Sequence, residues 1–195
     1  MDAHTATPLV PRWLVALLIF LFVLAQVLLN YGNLASGDPA WMALVNILLL
    51  SIPLGLLFFS IGLFVAAERQ RRGLAAHSAQ VRRLVYLTPR IAGVLLALFV
   101  SLFALDVFEP GHPWLSVVIA FLIHALPAIA LAVAVAFAWR RPLVGAIIFL
   151  VIGIVFLRFL FPNPVQQFGN ALLFSGPMLA VALLFWEDWK LAKDS

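Results

Sequence analysis

Six long apolar stretches alternate with short polar breaks along the chain, at approximately Arg12–Tyr31, Trp41–Ala67, Arg90–Phe108, Trp114–Trp139, Pro142–Phe161 and Gln167–Trp186. A helix needs about 20 predominantly apolar residues to cross the hydrocarbon core of a bilayer. The pattern therefore predicts an all-α integral membrane protein, a six-helix bundle made of three helical hairpins. The connections are short except for the segment Glu68 to Pro89, which carries Arg69, Arg71, Arg72, Arg82 and Arg83. Residues 1–88 are expected to form an N-terminal transmembrane hairpin plus this basic loop, and residues 89–195 a four-helix membrane domain. Within the loop, Leu74–Leu87 is either a short amphipathic helix on the membrane surface, with Arg82 and Arg83 towards phosphates, or an ordinary connector.

The first apolar run, Trp13 to Leu29, exceeds the 7–15 residues of a typical secretory h-region and is preceded by Asp2 and a single arginine, Arg12. Asn33 to Ser36 makes a poor cleavage site, so the run is expected to be a retained span. The hairpins share a plan. Pro11-Arg12 opens the first and Pro89-Arg90 the second, and Arg141-Pro142 opens the third in inverted order. Each returning helix carries a proline, Pro53, Pro127 or Pro177, which is expected to kink it by freeing a carbonyl four residues earlier. Either duplication of a hairpin or the general frequency of proline in membrane helices accounts for this. A small-residue pattern on the fourth span (Ala128, Ala132, Ala136 and Ala130, Ala134, Ala138) predicts close helix approach and a central position.

Composition agrees with insertion: the chain is 65% hydrophobic and 10% charged, with mean hydropathy +1.13, against about half apolar and a quarter charged in soluble domains. The net charge of +4 does not point to nucleic acid, because the arginines gather at span ends. Threading the spans puts eleven of the twelve basic residues, and five of the eight acidic ones, on one side. Arg158 alone faces Asp38, Asp106 and Glu109 on the other. The positive-inside rule then predicts cytoplasmic termini, a bacterial inner-membrane location, and anionic lipid head groups as partners at the inner face. All six tryptophans (13, 41, 114, 139, 186 and 189) fall at proposed span ends, where an amphipathic indole prefers the head-group region.

The absence of cysteine removes disulfides, thiolate metal sites and a Cys nucleophile. No P-loop, nucleophile elbow, zinc-protease helix or carbonyl-lined filter is present, so no enzyme activity and no cofactor are expected. Polar residues inside spans are the remaining candidates, because they are costly in lipid. Asp106 and Arg158 stand at one level near the far ends of spans three and five. Either they pair, or Arg158 snorkels while Asp106 caps the loop with Glu109. His124, near mid-membrane with Ser101 at its level, is a hydrogen-bonded neutral imidazole, a proton relay or a cofactor ligand. Its spacing from Ala120 matches that of bacteriochlorophyll-binding helices, whereas His4, His77 and His112 lie too far away for bis-histidine haem. Gln26, Asn30, Asn46 and Asn170 fall in the same leaflet. They are either interhelical hydrogen-bond partners or the lining of an outward-facing vestibule.

From Pro89 to Trp186 the chain resembles a family of small, uncharacterised bacterial multi-pass membrane proteins, usually of four spans, classed as a domain of unknown function. The resemblance is carried by Pro89-Arg90, Ser101–Phe108, Ile123-His124 with Pro127, Ala138–Arg141, and Ser175–Pro177. It implies that Asp106, His124 and Pro127 belong to the family pattern, and it implies no activity. The expected role is an accessory or scaffold-type membrane protein, with a protein partner or a second copy as further contacts. The alternative is a small channel or transporter for protons or a small solute, using Asp106, His124 and Arg158.

Overall fold

The computed structural model describes residues 8–35, 39–75, 78–108, 113–159 and 168–193. Among them are six long helices and no strand: α1 (Arg12–Ala35), α2 (Ala40–Arg71), α3 (Ala79–Leu102), α4 (Trp114–Ala138), α5 (Pro142–Phe159) and α6 (Gly176–Lys193). A 3₁₀ turn, Phe103–Val107, continues α3, and a π turn, Ala171–Ser175, leads into α6. Five helices are long and apolar enough to cross a membrane: α1, α2, α4, α3 with its 3₁₀ turn, and the stretch Phe168–Lys193 containing α6. The sixth, α5, has 18 residues, about 27 Å at 1.5 Å per residue. Successive helices pack as hairpins, α1 on α2, α3 on α4 and α5 on α6. The starts of α1, α3 and α5 therefore share one end, here the basic end, with the finishes of α2, α4 and α6.

One helix start differs from the sequence expectation. The third helix begins at Ala79 rather than Arg90, behind an N-cap in which Ser78 Oγ accepts from the Val81 amide. The Leu74–Leu87 segment is thus neither a separate surface helix nor a plain connector. Its Val81 and Val85 are buried with Leu63, Ala67 and Leu184, which holds these turns against α2 and α6. Pro89 lies inside α3. Pro177, expected to kink the sixth helix, lies inside the continuous helical stretch Phe168–Lys193, two residues after the π turn ends. There the Gly176 amide donates to the Ala171 carbonyl five residues back. This wider spacing absorbs a residue that has no N–H of its own.

The main core joins α3, α4, α5 and α6 through Leu96, Leu131, Phe149, Met178 and Phe185, all buried. Its centre is α6, which lies against α5, α3 and α2. Half of its apolar window is buried, and 44% of that of α3, against 17% for α4 and 11% for α1. The expected central position of α4 is therefore not observed. Ala128, Ala134 and Ala138 are buried with Leu131 and Val135, but Ala130, Ala132 and Ala136 face outward. Alanine permits close approach on whichever face a neighbour occupies, and α4 has neighbours on one face only. The close approach comes from glycine. A Cβ on Gly93 would stand 2.6 Å from Val135 Cγ2 and 3.0 Å from Phe149 Cζ, and one on Gly145 would run into Ala138 Cβ.

At the end remote from the arginine cluster, four phenylalanines close the interior. Phe174 of the π turn meets Phe99 at 5.7 Å, Phe103 at 5.2 Å and Phe156 at 5.8 Å between ring centroids. An apolar groove of about 510 Å³ runs between α1, α2 and the start of α3 at the basic end, and includes Phe22, Phe58 and Leu63.

Candidate functional site

The chemistry that the bundle buries lies at the basic end, around Arg90. This residue is only 2% exposed, on the fourth turn of α3 just after Pro89. Its Nη1 donates to Asp188 Oδ2 of α6 at 2.8 Å and to the Tyr86 carbonyl. Its Nη2 donates to the Trp139 carbonyl at the close of α4, at 3.3 Å. The guanidinium lies 3.7 Å from the Tyr86 ring centroid, a cation–π distance. Proline at position 89 removes the amide that would bond the Val85 carbonyl, while the Arg90 side chain donates to the next carbonyl, that of Tyr86. A cation beside the last carbonyls of α4 also complements that helix's dipole. One side chain thus ties α3, α4 and α6 together.

Next to it, Glu187 is fully buried and accepts from Lys190 Nζ at 2.8 Å, while its other oxygen has no partner among the described residues. A cavity of about 430 Å³ beside this cluster is lined by Arg82, Arg83, Tyr86 and Asp188. No group of three His, Cys, Asp or Glu side chains among the described residues could hold a metal. Through these bonds the Arg90 cluster clamps α3, α4 and α6 together.

The residues expected to form a site at the far end do not converge. Asp106, in the 3₁₀ turn, and Arg158, in the last turn of α5, are both exposed, and no ion pair joins them among the described residues. The reason is packing: the 3₁₀ turn leans on α4, while α5 finishes against the π turn before α6. Glu109, the other expected partner of Asp106, lies outside the described residues, as do His4, His77 and His112. His124 is exposed on α4, its Nδ1 donating to the Ala120 carbonyl at 2.8 Å. Ser101 Oγ donates to the Leu98 carbonyl at 2.7 Å, so the two residues bond to their own helices and not to each other.

The second polar set does make interhelical bonds. Gln26 Nε2 donates to Ser51 Oγ at 2.7 Å, joining α1 to α2, and buried Asn30 donates back to Gln26 Oε1 at 3.1 Å. Asn170 Nδ2 donates to the Phe156 carbonyl, joining the π-turn region to α5. Asn46, half-buried on α2, makes no such bond among the described residues. Bonds of this kind contribute about 0.6 kcal/mol each inside membranes, enough to set helix register.

In the sequence Arg90 reads as a span-end charge that opens a hairpin and shares in the family resemblance, and Asp188 only as one of the acidic residues at the basic end. Two signals were available. Arg90 follows a proline on a helix whose buried face includes Val85, Ala92 and Leu96, and Glu187-Asp188 are the only adjacent acidic residues in the chain.

Residues 78–195 match the model of a domain of unknown function, DUF7670. That is well over half of the chain, and the protein belongs to this family. The matched segment opens at Ser78, the residue that caps α3. A search of curated proteins and a search of solved structures found no match.

Proposed function

We propose that this member of the domain-of-unknown-function family is a multi-pass accessory or scaffold protein of the bacterial inner membrane. In this reading it has no catalytic activity, and its termini and arginine-rich end face the cytoplasm. The observation that carries the reading is the aromatic closure of the interior by Phe99, Phe103, Phe156 and Phe174. The polar side chains that a translocation path would need at that end, Asp106, His124 and Arg158, stand outside it. Below the closure Leu96, Leu131, Phe149, Met178 and Phe185 pack together, the buried polar residues of the bundle include Ser60, Thr88 and Ser175, and Arg90 pairs with Asp188 at the basic end.

His124 supports a protein-contact role. Its helical position matches that of Leu131 and Val135, which face the bundle lower on α4, yet the ring is exposed. Nδ1 meets the Ala120 carbonyl and Nε2 has no hydrogen-bond partner among the described residues, which is costly against hydrocarbon. Contact with a partner chain or a second copy removes that cost.

The test is proton and ion flux into proteoliposomes holding the wild type or His124→Ala. Both are expected to match protein-free vesicles. Flux above that background, lost in His124→Ala, would establish the channel or transporter alternative and overturn the accessory role.

A further inference from the structure

The groove between α1, α2 and α3 is an apolar trough whose α1 and α2 walls each run on to an arginine at the basic end, and we propose that it binds the acyl chain of one anionic phospholipid, with these arginines as a cationic lip. The walls have a matched register. On α1, Val15, Ile19 and Phe22 line the groove, and Arg12 precedes them on the same stripe at the basic end. On α2, Phe59, Gly62 and Ala66 line it, and Arg69 follows at the basic end. The spacings are three, four and three residues in both helices, which keeps each arginine on the face of its own trough wall. Because side chains on a helix lean towards its N-terminus, the Arg69 stem leans back over the trough. On α3, Gln80 lines the groove at that same end, one turn before Leu84.

The lip is electrostatically unfilled. Glu68, the nearest carboxylate in sequence, is held by Arg71 and Arg72 at 2.7 Å. Neither Arg12 nor Arg69 makes an ion pair among the described residues. Arg69 Nε and the neighbouring Gln70 Oε1 are buried without a hydrogen-bond partner among them. A phosphate-bearing head group supplies acceptors where Arg12 and Arg69 present donors, while an acyl chain fills the space between Phe22, Phe59 and Leu84. The volume of about 510 Å³ lies within the range of roughly 300–1,000 Å³ for ligand pockets. The arginines at the α4–α5 turn provide the contrast: Arg140 and Arg141 line a cavity with only Ala136, Phe137 and Trp139, without an apolar trough walled by three helices.

The inference rests on membrane insertion but not on the scaffold role, which the flux measurement decides separately. Native mass spectrometry of the full chain, titrated with dioleoylphosphatidylglycerol or dioleoylphosphatidylcholine in mixed micelles, measures the ratio of their affinities. Each arginine near an anionic surface contributes a factor of about five. The wild type is therefore expected to hold one phosphatidylglycerol roughly 25-fold more tightly than phosphatidylcholine. Arg12→Gln with Arg69→Gln should bring the ratio close to one. Gly62→Leu, whose side chain enters the trough, should weaken both lipids and leave the ratio unchanged. Arg140→Gln with Arg141→Gln should leave both affinities at wild-type values. Should the first pair not remain monodisperse, Arg12→Gln alone, at an exposed site, should lower the ratio about five-fold. A wild-type ratio near one, or the same ratio after loss of Arg12, overturns the proposal. So does an equal fall in the Arg140/Arg141 variant, which would assign the preference to general surface charge.

Discussion

Arg90 is the side chain on which three helices depend, and its removal has a calculable consequence. Asp188 has no other hydrogen-bond partner among the described residues, so Arg90→Met leaves a largely buried carboxylate uncompensated. Breaking such a pair from one side costs about 3–5 kcal/mol. The low end applies here, because the Asp188 side chain keeps 12% of its exposure. Arg90→Met combined with Asp188→Leu is expected to recover most of that loss, since an apolar pair of similar volume is often as stable as the ions it replaces. Equilibrium unfolding in detergent measures both variants; a double variant as unstable as Arg90→Met would remove the pair as the cause. The ionisable residues themselves were legible in the sequence, but their roles were not. Asp106 and Arg158 share a level and a sign relation, yet pairing requires adjacent helices, and their helix ends pack elsewhere. Arg90 and Asp188 are 98 positions apart, a distance over which no local pattern speaks.

At the scale of elements, glycines set how closely the helices meet. Gly93→Ala would force a methyl group to within 2.6 Å of Val135 Cγ2, and overpacking of this kind typically costs about 1–3 kcal/mol. Gly55, inside α2, has nothing within 4 Å of its would-be Cβ. Gly55→Ala is therefore expected to stabilise by up to about 1 kcal/mol through helix propensity alone. Opposite signs in the same unfolding assay would confirm that packing, not glycine as such, decides. The helix bounds show the matching limit of local signals. Pro11 and Pro142 do mark helix starts, as proline often does, whereas Pro89 sits ten residues after the true start of α3. The local cost of that proline is offset by burial of Val81 and Val85 against α2 and α6, and the Arg90 side chain holds the neighbouring Tyr86 carbonyl. At Pro177 the compensation is a π turn, a change of hydrogen-bond spacing that no residue pattern announced.

For the whole molecule, the charge asymmetry makes a further prediction. The chain has no cysteine, so single cysteines report topology without a background. Ala192→Cys should react with an impermeant maleimide only after the membrane is opened, and His112→Cys should react in intact cells. The reverse result would invert the orientation inferred from the arginines. Hydrophobic run length and the positions of proline, tryptophan and arginine determined how many helices there are, roughly where they lie and which of their ends carry the charge. These follow from the bilayer's thickness and the cost of charge within it, which act on each segment separately. Only the tertiary structure decided that α6 and not α4 is central, that Phe174 closes one end, and that Arg90 finds Asp188. Each of these depends on which apolar face meets which. In a chain that is apolar nearly all round its helices, the faces look alike until neighbours are placed against them.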